Sequence, residues 1–120
     1  MIAFLKGALA GKTAAAAFID VNGVGYAVGM SQASLSKLPE AGASVEVHTY
    51  LQVRDDAIAL YGFMTVEEKA LFERLIGVGG VGPKVALAAL SVFTPQALVA
   101  AIAAQDVAAV SKIPGVGKKT

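Results

Sequence analysis

The chain has 120 residues, 56% of them hydrophobic, with ten basic and nine acidic residues and a net charge of +1. Such a length makes one or two small domains, which bury roughly two-thirds of the surface that the unfolded chain would expose. No cysteine is present. This excludes a disulfide framework or a thiolate zinc site and makes an intracellular, cytoplasmic setting the expectation.

The N-terminal stretch "MIAFLKGALAGKTAAAAF" has a signal-like apolar content. Lys6 and Lys12 interrupt it and no basic segment precedes it, so it reads as strand. "AAAAFIDVNGVGYAVGM" then sets Phe18, Ile19 and Val21 before Asn22-Gly23, and Val24, Tyr26 and Val28 after it. An Asn-Gly pair between β-prone runs predicts a hairpin, because both central turn positions want positive φ. "SQASLSKLPEAG" predicts a short helix capped by Ser31 and stopped before Pro39. "VEVHTYLQV" (45–53) and "AIALYGF" (57–63) predict a second hairpin around "RDDA". Five short strands with one helix between the third and fourth is the pattern of an OB-type barrel, although another small barrel fits the pattern nearly as well.

Helical periodicity takes over in the second half. Thr65 with Glu68 three residues on predicts a capping box. Leu71 with Leu75, and Phe72 with Ile76, place an apolar stripe at i, i+4. Gly77, Gly79 and Gly80 end that helix, and Pro83 opens the next through "KVALAALSV". Thr94-Pro95 and Asp106 predict two further helix starts. The longest apolar run in this half, "ALVAAIAA" (97–104), is too short to span a bilayer, so no membrane association is expected. The expected boundary lies between a barrel domain at 1–63 and a helical domain at 64–120. Charge divides with it, the first part carrying a net −1 and the second a net +2.

The turn "GGVGPK" (79–84) is echoed by "PGVGKK" (114–119). A P-loop needs G-x-x-x-x-G-K-[ST] after a strand, whereas "GVGKKT" has its glycines two apart and follows a helical segment. A dinucleotide fingerprint fails too, since neither Gly82 nor Gly117 has a glycine three residues on. What fits is helix, tight G-x-G turn, helix. The glycines let the backbone turn sharply, and the next helix start offers unpaired N–H groups at its positive dipole end. Val81 and Val116 are expected to point inward, and Lys84 and Lys118 add charge at the rim. Such a site holds phosphate and carries no base information. A plain helix C-cap explains one turn as well, but not its repetition with a lysine behind each.

Among the remaining polar and aromatic residues, Asp55-Asp56 reads first as a pair chosen for turn chemistry. A Mg²⁺-holding pair is the weaker reading, because adjacent aspartates alone lack further ligands and a base. His48 stands in a strand pattern with no second histidine, which argues against a metal or catalytic role. Tyr26, Tyr50 and Tyr61 fit the wall of a barrel better than base-stacking platforms.

The stretches "VNGVGYAV" (21–28), "LPEAG" (38–42), "VRDDAIALYGF" (53–63), "GVGPKVAL" (80–87) and "IPGVGKKT" (113–120), taken in this order, resemble the RuvA family. These bacterial proteins bind Holliday junctions and work with the RuvB motor in branch migration. The resemblance runs over all 120 residues and implies an OB-fold followed by tandem helix-hairpin-helix motifs. It implies a homotetramer, or an octamer of two tetramers, on four-way junction DNA, with RuvB and the RuvC resolvase as partners in recombination and DNA repair. No catalytic residue, metal or cofactor of the chain's own is implied, ATP and Mg²⁺ being used by RuvB.

Carried over by position, the resemblance places DNA-backbone binding on Gly79, Gly80, Val81, Gly82 and Lys84. The second turn supplies Gly115, Val116, Gly117, Lys118, Lys119 and Thr120. It makes Asp55 and Asp56 an acidic pin at the crossover, and Arg54 beside that pin is a candidate contact to a phosphate there. Family members continue into a further helix, a linker and a third domain that engages RuvB. The sequence ends at Thr120, so the second motif is expected to be truncated and motor coupling absent. An accessory region of a repair nuclease or ligase is the alternative reading, and the order of the motifs argues against it.

Overall fold

A computed structural model describes residues 1–78 and 81–92 of the chain. Two compact units are formed, Met1–Lys69 and Ala70–Thr120.

The first unit is a closed five-stranded barrel. Its strands are β1 (Phe4–Lys12), β2 (Ala16–Val21), β3 (Val24–Gly29), β4 (Ser44–Val53) and β5 (Ile58–Phe63), with the short helix α1 (Gln32–Ser36) between β3 and β4. Around the barrel the order is β1-β2-β3-β5-β4. β1 pairs antiparallel with both β2 and β4, and β3 runs parallel to β5 through Gly29 and Tyr61. This is the OB-fold expected from the element pattern.

Local chemistry sets each turn. Thr13 ends β1: its hydroxyl accepts from the N–H groups of Ala15 and Ala16 at 3.2 and 3.1 Å. Asn22 and Gly23 both have positive φ, at 52° and 89°, which is the two-residue turn that matches strand twist. The Asp20 carboxylate accepts from the Gly23 N–H at 2.7 Å and steadies that turn. Ser31 caps α1 as predicted, its hydroxyl accepting from Ser34 N–H at 3.1 Å. Lys12 closes the other end of α1, donating to the Leu35 carbonyl at 2.9 Å.

Alternation along the strands fills the barrel. Leu5 and Leu9 from β1, Ala17 and Ile19 from β2, Val28 from β3, and Val45 and Val47 from β4 form its core, with Met30, Leu35 and Leu38 closing it. Gly7 lies between Leu5 and Leu9 where strands approach closely. A Cβ there would run into the backbone carbonyl oxygen of Asp20.

Helix α2 (Val66–Ile76) begins within the first unit and continues into the second. Helix α3 (Pro83–Val92) belongs to the second. Leu71 and Phe72 are buried on α2, and Ala86, Ala89 and Leu90 on α3. The helices expected after Thr94 and Asp106 lie outside the described residues. None of the described helices is long and apolar enough to cross a membrane.

Candidate nucleic-acid interface

Two separate places carry the residues expected to meet DNA. The first is the tip of the β4–β5 hairpin. Its ladder runs from His48 opposite Phe63 to Val53 opposite Ile58. Beyond that pair the Arg54 N–H donates to the Ala57 carbonyl at 2.8 Å and closes the turn. Arg54, Asp55 and Asp56 therefore sit together on one tight tip, and all three are exposed. Because β3 and β5 are parallel, their first residues lie at one end of the barrel. The Asn22-Gly23 turn and the Asp55-Asp56 turn consequently share that end.

The tip is suited to repulsion. Two exposed carboxylates side by side disfavour the approach of a phosphate, and the effect weakens with salt. Among the described residues no group of three or more His, Cys, Asp or Glu side chains could hold a metal ion.

The second place is the turn between α2 and α3. The end of α2 is tied off by Gly77 N–H to the Arg74 carbonyl at 3.2 Å and Val78 N–H to the Leu75 carbonyl at 3.1 Å. Val81, half-buried, donates its N–H to the Val78 carbonyl at 3.1 Å. The Gly82 carbonyl accepts from Ala86 N–H at 3.0 Å, which starts α3 with Pro83 at its first position. Pro83 has no N–H, so the backbone donors that the first turn of α3 leaves without a partner inside the helix include the N–H groups of Lys84 and Val85. The Lys84 side chain is exposed beside them. Backbone donors, the positive end of a helix dipole and an ammonium group are thus gathered at one turn, a combination that suits phosphate.

Gly79 and Gly80 lie outside the described residues, as does the whole second turn of Gly115, Val116, Gly117, Lys118, Lys119 and Thr120.

The tyrosines are half-buried. Tyr26 packs against the barrel core, and Tyr50 faces Tyr61 across the β4–β5 ladder. His48 is half-buried opposite Phe4 on one side and Phe63 on the other. A cleft of about 260 Å³ lies along Met1–Ala3, Thr49–Leu51 and Lys69. The Thr49 hydroxyl is spent there on the Ile2 carbonyl at 2.5 Å.

Sequence reading missed the role of Glu68. The Thr65 hydroxyl accepts from Glu68 N–H at 3.1 Å, as a capping box requires. The Glu68 carboxylate, however, takes the Ser34 hydroxyl, at 2.8 and 3.1 Å. Burial pushes the Glu68 carboxyl above its ordinary value of 4.5, against the lowering influence of the Ser34 hydrogen bond, the charge of Lys37 and a hydrogen bond from the Met64 backbone. The capping box is thus only half realised, because the side chain gains more from filling a buried site on α1. No spacing rule connects positions 34 and 68.

Comparison with known proteins places these features in a family. Residues 1–62 match the model for the RuvA N terminal domain, and residues 72–120 that for a SAM-like helix-hairpin-helix tandem. The chain is 52% identical over 119 residues to the Holliday junction branch migration complex subunit RuvA of Acidobacterium capsulatum, covering 99% of this chain and 60% of that protein. It is 51% identical over 120 residues to the protein of that name from Symbiobacterium thermophilum, covering 100% of this chain and 58% of that one. The chain therefore spans about 60% of the length of the curated relatives it matches. With a barrel of OB order, a helix α3 that starts at Gly82-Pro83-Lys84, a family model over its first 62 residues and about half its residues identical to curated relatives along the whole chain, the chain belongs to the RuvA family.

Proposed function

We propose that this chain binds four-way DNA junctions and serves as the non-catalytic, DNA-binding subunit of a branch-migration complex. The observation that carries this reading is the pairing of two opposite chemistries on one chain. The α2–α3 turn attracts phosphate through Lys84 and the helix start, and the β4–β5 tip repels it through Asp55 and Asp56. A protein that only held duplex DNA would have no use for the second. Identity of about half the residues along the whole chain, to proteins named as branch-migration subunits, supports the same reading.

In this mechanism the arms of the junction are held by their backbones. The turn of Gly79, Gly80, Val81 and Gly82 with Lys84 grips one stretch. The turn of Gly115, Val116 and Gly117 with Lys118, Lys119 and Thr120 grips another. Four copies arranged about the crossover bring four acidic tips towards its centre, where Asp55 and Asp56 keep phosphates away and strands apart, with Arg54 at their edge. Hydrolysis of ATP belongs to a RuvB-type motor, and the chain itself needs no cofactor. RuvC action on the same junction and a cytoplasmic setting complete the proposal.

Titration of a synthetic four-way junction and a matched linear duplex, with the mass of each complex measured, tests it. A tetramer that prefers the junction is expected. With about eight phosphates neutralised, doubling the salt costs on the order of a hundredfold in affinity. Equal affinity for the two DNAs would overturn the proposal.

A further inference from the structure

The strand register leaves an apolar pair uncovered at the acidic tip. Along β4 the core-facing row is Val45, Val47, Thr49, Leu51 and Val53. Along β5 the same row is Gly62, Leu60 and Ile58, as the pairs Thr49–Gly62, Leu51–Leu60 and Val53–Ile58 require. Exposure climbs along it. Val47 and Thr49 are buried, Leu51 and Leu60 half-buried, and Val53 and Ile58 are 65% and 70% exposed. The hairpin therefore continues past the end of the barrel with its inner row still apolar. At the same end of the barrel Val24 of the β2–β3 hairpin, on the row of Tyr26 and Val28, is 54% exposed, while its partner Val21 is packed against the core.

The neighbours of Val53 and Ile58 restrict what can cover them. Asp55 and Asp56 stand within three residues of each and are exposed. A phosphate brought onto the pair would meet two carboxylates, so of the parts of a DNA junction the uncharged bases, rather than the backbone, suit an apolar pair at this place. The apolar face that a base offers is its π-face, which is exposed only where stacking is interrupted. Branched aliphatic side chains are effective against such faces, and proteins that open base steps insert residues of this kind. Val53 and Ile58 face the same side on adjacent strands, with Cβ atoms about 5 Å apart, so they present one continuous surface.

We infer that Val53 and Ile58 form an apolar wedge that rests on the exposed face of a base pair at the crossover while Asp55 and Asp56 hold the phosphates off. The inference rests on the junction-binding function proposed above. The hairpin then has two roles, since the acidic residues exclude the backbone and the aliphatic pair takes the place of the lost stacking partner.

The test uses the 120-residue chain, a four-way junction carrying 2-aminopurine beside the crossover, and a matched duplex carrying the same base. The variant is V53T/I58T, which keeps β-branched residues on the strands. The wild type is expected to raise the 2-aminopurine fluorescence of the junction on binding and to leave the duplex signal flat. The variant is expected to lose most of that rise and about tenfold in junction affinity, with duplex affinity and far-ultraviolet circular dichroism unchanged. If the variant matches the wild type in junction affinity and fluorescence, the wedge is overturned and the junction-binding function stands. If the variant loses its assembled mass in the absence of DNA, the pair is an interface between copies of the chain, and the wedge is again overturned. A wild type with no preference for the junction removes both the function and the wedge.

Discussion

The Ser34 hydroxyl and the Glu68 carboxylate meet at 2.8 and 3.1 Å, both side chains buried, joining α1 to the first turn of α2. Replacing Ser34 by Ala leaves the carboxylate without its hydroxyl donor and is expected to cost about 1–3 kcal/mol, measured by urea unfolding at neutral pH. The pH dependence has a definite sign. A carboxyl whose pKa is raised on folding binds its proton more tightly in the folded state than in the unfolded one. Its contribution is therefore full at and below the ordinary value of 4.5 and is lost as pH rises through the raised value. Glu68→Gln mimics the protonated form at every pH. The melting temperature of the wild type, relative to this variant, is expected to rise as pH is lowered from 7 towards 4.5. A constant difference between the two would remove burial of Glu68 as the cause.

Gly7 is demanded by backbone proximity. A methyl group there meets the Asp20 carbonyl oxygen, with Val21 Cγ2 only 3.1 Å away. A carbonyl held in the barrel ladder has little room to withdraw. Gly7→Ala is expected to destabilise the protein by about 3 kcal/mol, seen as a lower denaturant midpoint with the slope unchanged.

Lys84 is exposed at the start of α3, in the helix's first turn. Lys84→Ala is expected to weaken binding to junction and duplex alike, without regard to sequence. The slope of log affinity against log salt should fall by about one for each phosphate that the ammonium group neutralises. Fluorescence anisotropy at several salt concentrations measures both, and an unchanged slope would place Lys84 away from the backbone.

Asp55 and Asp56 predict the opposite behaviour. The variant D55N/D56N keeps turn-forming residues but removes two negative charges. It is expected to bind DNA at least as tightly as the wild type and to discriminate junction from duplex less well. Competition between the two DNAs for one protein sample measures the ratio directly. Loss of all binding would mean that the carboxylates hold something rather than repel it.

Much of the barrel was legible because its turns are made by neighbours in sequence. Asn22-Gly23 announces its hairpin through the positive φ that both residues adopt. Ser31 announces α1 by the spacing of its hydroxyl to Ser34 N–H. Pro83 marks the start of α3, and the glycine spacing around Gly82 rules out a nucleotide loop. The family signature in those stretches pointed to the same fold. The Thr65 cap was readable only in half, since its hydroxyl obeys a local rule and the Glu68 carboxylate obeys a distant one.

What the sequence by itself determined is therefore, among the described residues, the set of elements, most of their caps and turns, and the residue chemistry of each tip. These depend on atoms a few residues apart. Only the tertiary structure decided which faces are covered. Val47 and Val53 are the same residue type on the same row of one strand, yet the first is buried and the second lies open. The difference comes from where β1 pairs with β4 and where the barrel closes, and side-chain periodicity contains no record of that. Burial of Glu68 against Ser34 has the same origin. A charge is desolvated by whatever packs over it, and the residues that do so here come from a segment 34 positions away.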